Sequence, residues 1–164
     1  MNLIVAIDKN WAIGYQNKLL VSIPADMRFF RDATTEKVVV MGKNTLESFS
    51  GGRPLKNRVN VVIALEKDYK VKDAVVVYSI EEALEALKNY KSEDIYVIGG
   101  ASIYRQFLPY CDVARVTMID YAYLADTYFP NLEELEEWEV AEESEEQTYN
   151  DLIYTFRKYV RKGK

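Results

Sequence analysis

A single carboxylate stands on a helix face that should be apolar. In the stretch SIPADMRFFR a helix is predicted to begin at Pro24, and an acid in its first turn normally faces water. At about 100° per residue, Asp26 instead falls on the apolar face, which carries Ile23, Met27 and Phe30. Burying an unpaired carboxylate costs several kcal/mol. Either Asp26 has a functional role, or the helical periodicity assigns it to the wrong face.

The chain contains no histidine and one cysteine, Cys111. This composition excludes every His-dependent triad or metal site, and it excludes a thiolate cluster. The proton chemistry of an enzyme with this composition must rest on carboxylates, tyrosine, lysine or water. A lone cysteine also rules out an internal disulfide and suits a reducing compartment.

Two glycine-containing junctions connect a predicted strand to a predicted helix. In VVVMGKNT the strand ends before Gly42, and in IYVIGGASIY it ends before Gly99 and Gly100. Ligands bind at the carboxyl ends of strands in an open parallel sheet, where glycine lets the backbone approach closely and a helix N-terminus offers N–H groups to phosphate. Two such junctions suit a dinucleotide. Each glycine alone fits a tight turn equally well, and neither stretch is a complete nucleotide-binding motif.

Two further features have both a functional and a structural interpretation. The long loop at 8–24 is typical of a lid, in which Ile13-Gly14 would allow a sharp bend against a ligand; otherwise it is an irregular connection. Arg58 follows the turn GGRPLKN and would suit a carboxylate through two parallel N–H bonds. From its position in the sequence alone, Arg58 would be an exposed arginine that binds no ligand.

Short β-rich runs alternate with helical patterns along the first two-thirds of the chain. Strands are predicted at 3–7, 38–41, 59–65, 74–78, 95–100, 114–119 and 152–160, and helices at 24–33, 43–49, 79–90 and 101–108. This order predicts an α/β fold: a mostly parallel sheet of about eight strands, an antiparallel C-terminal strand and about four helices. The acidic run at 131–147 is predicted to be a solvated face with turns; a partner-binding role is the alternative.

Length and charge limit the remaining classes. The 164 residues suit one compact domain, 1–164, because no linker or internal repeat interrupts them. A net charge of -5 argues against nucleic acid or an anionic membrane as a partner. We expect no signal peptide, because the opening apolar run MNLIVAID is short and has no basic segment before it and no cleavage site after it. No apolar run is long enough to span a membrane. We expect a soluble cytoplasmic protein.

Six stretches together resemble dihydrofolate reductase over essentially the whole chain. They are WAIGYQNKL, IPADMRFF, VVVMGKNTLES, GRPLKNR, IYVIGGASIYRQFLP and VTMIDYAYLADTYFP. The resemblance implies a monomer that reduces 7,8-dihydrofolate to tetrahydrofolate, with hydride from NADPH delivered to C6 and a proton to N5. It thereby gives Asp26 a role as the ionisable side chain that binds the 2-amino group and N3 of the pterin. Burial should raise its pKa, whereas the pterin donors favour its charged form.

The resemblance also assigns the other substrate residues. Thr117 would hydrogen-bond Asp26, and Arg58 would bind the α-carboxylate of the glutamate tail. The apolar walls and floor of the pocket would be Ile4, Val5, Met27, Phe30, Phe49, Leu55 and Ile98. On pattern alone these apolar residues would belong to the core. Tyr104 would lie close to the nicotinamide ring and, with Asp26 and Thr117, complete the catalytic set.

The implied NADPH site is larger. It comprises Ala6, Ile13, Gly14, Asn17 and Leu19 over the nicotinamide half; Gly42, Lys43, Asn44, Thr45, Ala64 and Leu65 on the adenylate side; and Gly99, Gly100, Ala101, Ser102, Ile103 and Tyr104. The family joins the residues matching Gly99 and Gly100 by a cis peptide bond.

Three stretches depart from the family pattern. Leu19-Leu20-Val21 replaces Leu-Pro-Trp, so proton delivery would use a differently held water. Ala64-Leu65-Glu66-Lys67 replaces a Thr/Ser-Ser pair at the 2′-phosphate. Lys43 would neutralise that phosphate, with Lys67 as a second candidate, but Glu66 would repel it and weaken discrimination against NADH. Gly51-Gly52 adds one residue before Arg53 and would shift the loop that lines the substrate tail.

Two other functions stay open at this point. One is a non-catalytic nucleotide- or folate-binding module, which leaves the retained Asp26, Thr117 and Arg58 unexplained. The other is a reductase for a different heterocycle, such as a pyrimidine intermediate of flavin synthesis.

Overall fold

A computed structural model describes residues 1–163. Its strands are β1 (Asn2–Ile7), β2 (Ala12–Gly14), β3 (Val38–Gly42), β4 (Val59–Ile63), β5 (Val75–Val77), β6 (Ile95–Gly99), β7 (Val113–Ile119), β8 (Thr127–Tyr128), β9 (Trp138–Glu143), β10 (Gln147–Tyr149) and β11 (Leu152–Arg161). The helices are α1 (Pro24–Thr34), α2 (Lys43–Glu47), α3 (Ile80–Leu87) and α4 (Ala101–Phe107). The predicted boundaries differ from these by at most three residues.

The main sheet has the strand order β10-β11-β7-β1-β6-β3-β4-β5, and β9 also pairs with β11. The six strands from β7 to β5 pair in parallel, whereas β11 runs antiparallel to β7. The predicted fold class is therefore confirmed. This order aligns the carboxyl ends of β1, β6, β3 and β4 at one edge, which is where an open parallel sheet binds ligands.

Strand β3 shows why the parallel strands have nearly continuous apolar sequences. All its residues from Val38 to Met41 are at most 2% exposed. Val38 and Val40 pack into the larger core cluster, while Val39 and Met41 pack into a second cluster with Leu46. Alternate side chains on a strand point to opposite faces, so both faces of this strand are covered.

Helix α3 begins where its sequence signal indicates. The Ser79 hydroxyl accepts the N–H of Glu82 at 3.1 Å, and the Glu82 carboxylate accepts the N–H of Tyr78 at 2.7 Å. These bonds satisfy backbone donors at the start of the helix.

One expectation about the connecting segments is wrong, and another is incomplete. The predicted bend at Ile13-Gly14 is a strand, because β2 pairs with β8 in a separate two-stranded sheet. The acidic run at 131–147 is mostly exposed, as predicted, but besides turns it contains the strand β9, whose residues beyond Trp138 are exposed. The neighbouring β11 explains this strand: Arg157 pairs with both Glu143 and Glu133. Within residues 1–163, no helix combines the length and apolarity that a membrane crossing requires.

Candidate active site

Asp26 and Thr117 are brought together from positions 91 residues apart. The Thr117 hydroxyl, on β7, donates to Asp26 Oδ1 at 2.6 Å, so the predicted hydrogen bond is present. Thr117 is 2% exposed and lies opposite Ala6 of β1 in the parallel register. Burial raises the pKa of Asp26, as predicted, while the bond from Thr117 opposes that shift.

The apolar face of α1 is only partly covered. Ile23 is buried with Ile119 and Tyr154, and Val21 packs against the same cluster. Phe30 is half-buried and Met27 is 58% exposed, so Met27 does not occupy the core position that its apolar pattern alone would suggest. Its sulfur accepts a hydrogen bond from the Ser22 hydroxyl at 2.9 Å. Beside Asp26, this face therefore presents an open apolar side chain.

Tyr104 is buried and fixed by a hydrogen bond to β1. Its hydroxyl donates to the Ile4 carbonyl at 2.6 Å, and its side chain is 5% exposed. Burial raises the pKa of Tyr104, and the Asp26 charge adds to that shift. The phenol is therefore neutral, and its hydrogen bond to β1 ties α4 to that strand. The same strand carries Ile4 and Val5, the residues predicted to form the pocket floor, and both are 7% exposed.

The two glycine junctions lie side by side, because β3 pairs in parallel with β6 and places Met41 opposite Gly99. A cis peptide bond joins Gly99 to Gly100, and Gly99 has φ 126°, a conformation that glycine adopts without strain. A Cβ on Gly99 would lie 3.5 Å from the Thr45 hydroxyl oxygen and 3.4 Å from Tyr104 Cε2. The structure therefore brings Thr45 and Tyr104 to the same glycine.

Gly42 allows α2 and α4 to approach each other. A Cβ at this position would meet Ile103 Cγ1 at 3.1 Å. No side chain caps α2 at Gly42 or α4 at Gly100. Asn44 and Ser102 are exposed, whereas Ala101 and Ile98 are half-buried beside the same edge.

Lys43 follows β3 and meets a residue that follows β4. Its Nζ lies 3.2 Å from Glu66 Oε1 and 4.8 Å from the centroid of the Tyr69 ring. The hydrogen bond with Glu66 raises the pKa of Lys43. The pKa of Glu66 is lowered first by a hydrogen bond to its own backbone and then by the bond from Lys43. Ala64 is buried, but Leu65 is 89% exposed at the edge.

Arg58 is held at the other end of α1. Its Nε donates to the Thr34 hydroxyl at 2.9 Å and its Nη1 to the Lys56 carbonyl at 3.0 Å. The guanidinium carbon lies 5.9 Å from the centroid of the Phe30 ring. Among residues 1–163, no carboxylate forms an ion pair with it. Burial and the nearby Arg31 lower the pKa of Arg58, but a guanidinium stays charged at any ordinary pH.

The predicted tail-side wall lies on the second core cluster, where Phe49 and Leu55 are partly buried. The Asn60 side chain holds Leu55 in place by bonding both its N–H and its carbonyl at 2.9 Å. Between these wall residues, Gly51 and Gly52 have φ 67° and 61°, so the inserted glycines form a left-handed turn.

The predicted nicotinamide loop turns at a different place from the one expected. Gln16 and Asn17 both have positive φ, 49° and 62°, between Tyr15 and Lys18, which exchange two backbone bonds at 3.0 Å. This is the geometry of a tight two-residue hairpin. Asn17 and Leu19 are exposed, Leu19 by 77%, while Ile13 and Gly14 are half-buried in β2.

Two acids that fix this loop were missed by the sequence analysis. Asp8 is 0% exposed and accepts the N–H groups of Asn10, Ala12 and Tyr123 at 2.8 to 2.9 Å. Asp126 accepts the N–H of Gln16 at 3.0 Å. The position of Asp8 directly after a buried strand could have indicated its role. The sequence gives no sign that its partner is the N–H of Tyr123, because that contact is 115 residues away.

A partly buried acid is bonded to β7, and the glycine-containing ends of β3 and β6 belong to the same sheet, an arrangement that a nucleotide-dependent reductase can use. Comparisons with known proteins agree. The dihydrofolate reductase family matches residues 1–161. Dihydrofolate reductase of Bacillus subtilis is 32% identical over 165 residues, covering 99% of this chain and 95% of the relative. That of Enterococcus faecium is 40% identical over 141 residues, covering 85% and 83%.

A solved structure gives the same result. Dihydrofolate reductase from Enterococcus faecalis, complexed with NADP(H) and RAB-propyl, superposes with a TM-score of 0.87 at 30% identity. The match covers 98% of this chain and 95% of that chain. The chain described here belongs to the dihydrofolate reductase family.

Proposed function

We propose that this chain reduces 7,8-dihydrofolate to 5,6,7,8-tetrahydrofolate, consuming one NADPH and one proton and releasing NADP⁺. The observation that carries this assignment is the Asp26 carboxylate, hydrogen-bonded at 2.6 Å by Thr117 of β7, which lies two strands from β6 and its Gly99 end. Family membership supports the reaction, and the site supports these particular residues.

Asp26 has two roles in this proposal. Its carboxylate binds the 2-amino group and N3 of the pterin, which orients the ring against β1 and β7. Because burial favours its neutral form and pterin donors favour its charged form, substrate binding and proton uptake are coupled at this residue. Asp26 thereby promotes protonation at N5, and Thr117 fixes the rotamer of the carboxylate.

The substrate contacts extend from this acid to Arg58. Met27 and Phe30 of α1 cover the pterin, and Arg58 binds the α-carboxylate of the glutamate tail through its outward N–H groups. The remaining walls are Ile4, Val5, Phe49, Leu55 and Ile98. The bonds from Arg58 to Thr34 and Lys56 aim the guanidinium before substrate arrives, so little entropy is lost on binding.

The residues at the sheet edge fit a phosphorylated dinucleotide in their donor chemistry. Lys43 supplies a cation, Thr45 a hydroxyl, and Gly42, Gly99 and Gly100 backbone that can approach closely. When bound, NADPH supplies the hydride that reduces C6 of the pterin. The other contacts we assign are Ala6, Ile13, Gly14, Asn17, Leu19, Asn44, Ala64, Leu65, Ala101, Ser102, Ile103 and Tyr104.

The experiment that tests the activity mixes protein, NADPH and dihydrofolate and follows the nicotinamide absorbance. We expect it to fall, with tetrahydrofolate as the second product by chromatography. An absorbance that follows the protein-free control would refute the proposed reaction. Binding of both ligands without turnover would instead identify a binding module.

We further infer that residues 1–164 form one domain, which acts as a monomer in the cytoplasm. Both the first strand, β1, and the last, β11, pair with β7, so the two halves of the described chain share one sheet. Cys111 is buried and free, which suits a reducing compartment. Sedimentation at several protein concentrations tests the monomer.

A further inference from the structure

The ion pair between Lys43 and Glu66 lies at the same edge of the sheet as Gly99, and its Glu66 lies two strands away from that glycine. Strand order runs from β6, with Gly99 at its end, through β3 to β4. Neighbouring strands are about 4.8 Å apart, so the residues after β4 lie about 10 Å from the Gly99 edge. A dinucleotide that starts at Gly99 and follows the carboxyl ends of these strands places its second nucleoside beside Lys43 and Glu66.

We propose that Glu66 sets the choice between NADPH and NADH in this chain, by pairing with Lys43, the cation assigned above to the dinucleotide. This inference rests on the proposed function. It adds a specificity-determining residue that the cofactor contacts assigned above do not include.

Three observations support the proposal. The Lys43 ammonium is already compensated, with Glu66 Oε1 at 3.2 Å and the centroid of the Tyr69 ring at 4.8 Å. Leu65, which precedes Glu66, is 89% exposed and has no hydroxyl to donate. Within residues 1–163, Lys43 is the only cation in an ion pair with Glu66. The carboxylate is therefore not neutralised by a second positive charge.

The chemistry of the two cofactors differs at one group. NADPH carries a 2′-phosphate, which near neutral pH approaches a dianion and is repelled by a carboxylate at close range. NADH carries a 2′-hydroxyl, which can donate a hydrogen bond to a carboxylate, as in many NAD-binding sites. The Lys43–Glu66 pair therefore presents a nearly neutral surface that tolerates both cofactors.

The matched variant is Glu66→Gln, which keeps the size and hydrogen-bonding ability of the side chain but removes its charge. We expect the NADPH preference, measured as the ratio of kcat/KM for the two cofactors, to rise about tenfold, because one charge near a dianion is worth about 1.4 kcal/mol. Lys43→Ala should change the ratio in the opposite direction. Glu139→Gln, an exposed acid of β9 at the other end of the sheet, serves as the charge control and should leave it unchanged.

Calorimetric titration with NADP⁺ and NAD⁺ provides a readout that does not require turnover. We expect Glu66→Gln to lower the dissociation constant for NADP⁺ but not for NAD⁺. The difference should become smaller as the salt concentration is raised. An unchanged ratio of dissociation constants in Glu66→Gln would overturn the inference, even if the protein reduces dihydrofolate with NADPH. A protein that binds both nucleotides with the expected change but reduces no folate would instead overturn the proposed function.

Discussion

Thr117 and Asp26 face each other across the cleft between β7 and α1, with the threonine hydroxyl donating to the carboxylate at 2.6 Å. This bond and the surrounding burial act on Asp26 in opposite directions. Burial raises its pKa and is the larger effect, whereas the hydrogen bond lowers it. The proton affinity of the acid is therefore set jointly by the packing of α1 and by one side chain of the sheet.

Replacing Asp26 by asparagine should separate binding from chemistry. Asp26→Asn keeps the shape of the side chain and should retain the fold and folate binding. It removes the only ionisable group assigned to the pterin, so turnover near neutral pH should fall by about a hundredfold or more. Steady-state rates with NADPH, together with fluorescence titration of folate, check this. Turnover equal to that of the parent would exclude a proton role for Asp26.

The same substitution should alter how stability depends on pH. Because the folded state raises the pKa of Asp26 above the ordinary value of 3.8, the native protein binds this proton more tightly than the unfolded chain does. Stability is therefore lost as pH rises from about 3.8 through the higher folded pKa, and the loss is complete above it. In urea titrations, the stability of Asp26→Asn relative to the parent should increase over that window. A difference that is independent of pH would contradict the raised pKa.

Thr117→Val tests the hydrogen bond itself. Valine has nearly the same shape but cannot donate, so the pKa of Asp26 should rise further and the fall of turnover with pH should move to higher pH. The unpaired carboxylate should also reduce the free energy of unfolding by about 1–3 kcal/mol. Thr117→Ser, which retains the hydroxyl, is the matched control. A pH–rate profile that does not move in Thr117→Val would separate Asp26 from the titrating step.

Arg58→Lys tests the tail contact. Lysine keeps the charge but loses the paired N–H groups and the bond to Thr34, so KM for dihydrofolate should rise about 10- to 100-fold, which corresponds to about 1.5–3 kcal/mol. The value of kcat should change little, because the contact lies far from C6. A substrate without the glutamate tail provides the comparison, since its KM should be the same for both proteins. If the KM of both substrates rises by the same factor in Arg58→Lys, Arg58 does not bind the glutamate tail.

Asp8→Asn should loosen the loop at 8–24, which we propose covers the nicotinamide side. The two carboxylate oxygens of Asp8 accept three N–H groups, and an amide would turn one donor toward another. We expect a loss of about 2–4 kcal/mol in the free energy of unfolding, together with faster proteolysis within residues 9–22. Asp120 is an exposed acid whose Oδ1 lies 3.6 Å from Lys9 Nζ, so Asp120→Asn should reduce the free energy of unfolding far less. Equal losses in the two variants would show that Asp8 does not anchor this loop.

Local pattern was informative wherever one element determined the outcome. The parallel sheet followed from continuous runs such as Val38 to Met41, because a strand covered on both faces must be apolar throughout. The unusual position of Asp26 followed from helical periodicity alone. Periodicity was misleading for Met27, which shares the face of Asp26 but is 58% exposed, because an apolar face can border a cleft as well as a core.

By itself, the sequence determined the α/β class, the helix face of Asp26 and the two glycine junctions, because residue type and spacing encode local geometry directly. Only the tertiary structure decided that Thr117 bonds Asp26, that Glu66 pairs with Lys43 and that Asp8 holds the loop from Tyr123. Each of these contacts joins residues 23 or more positions apart. They exist because strand order and register place the ends of particular strands side by side, and that order is set by the packing of the whole sheet.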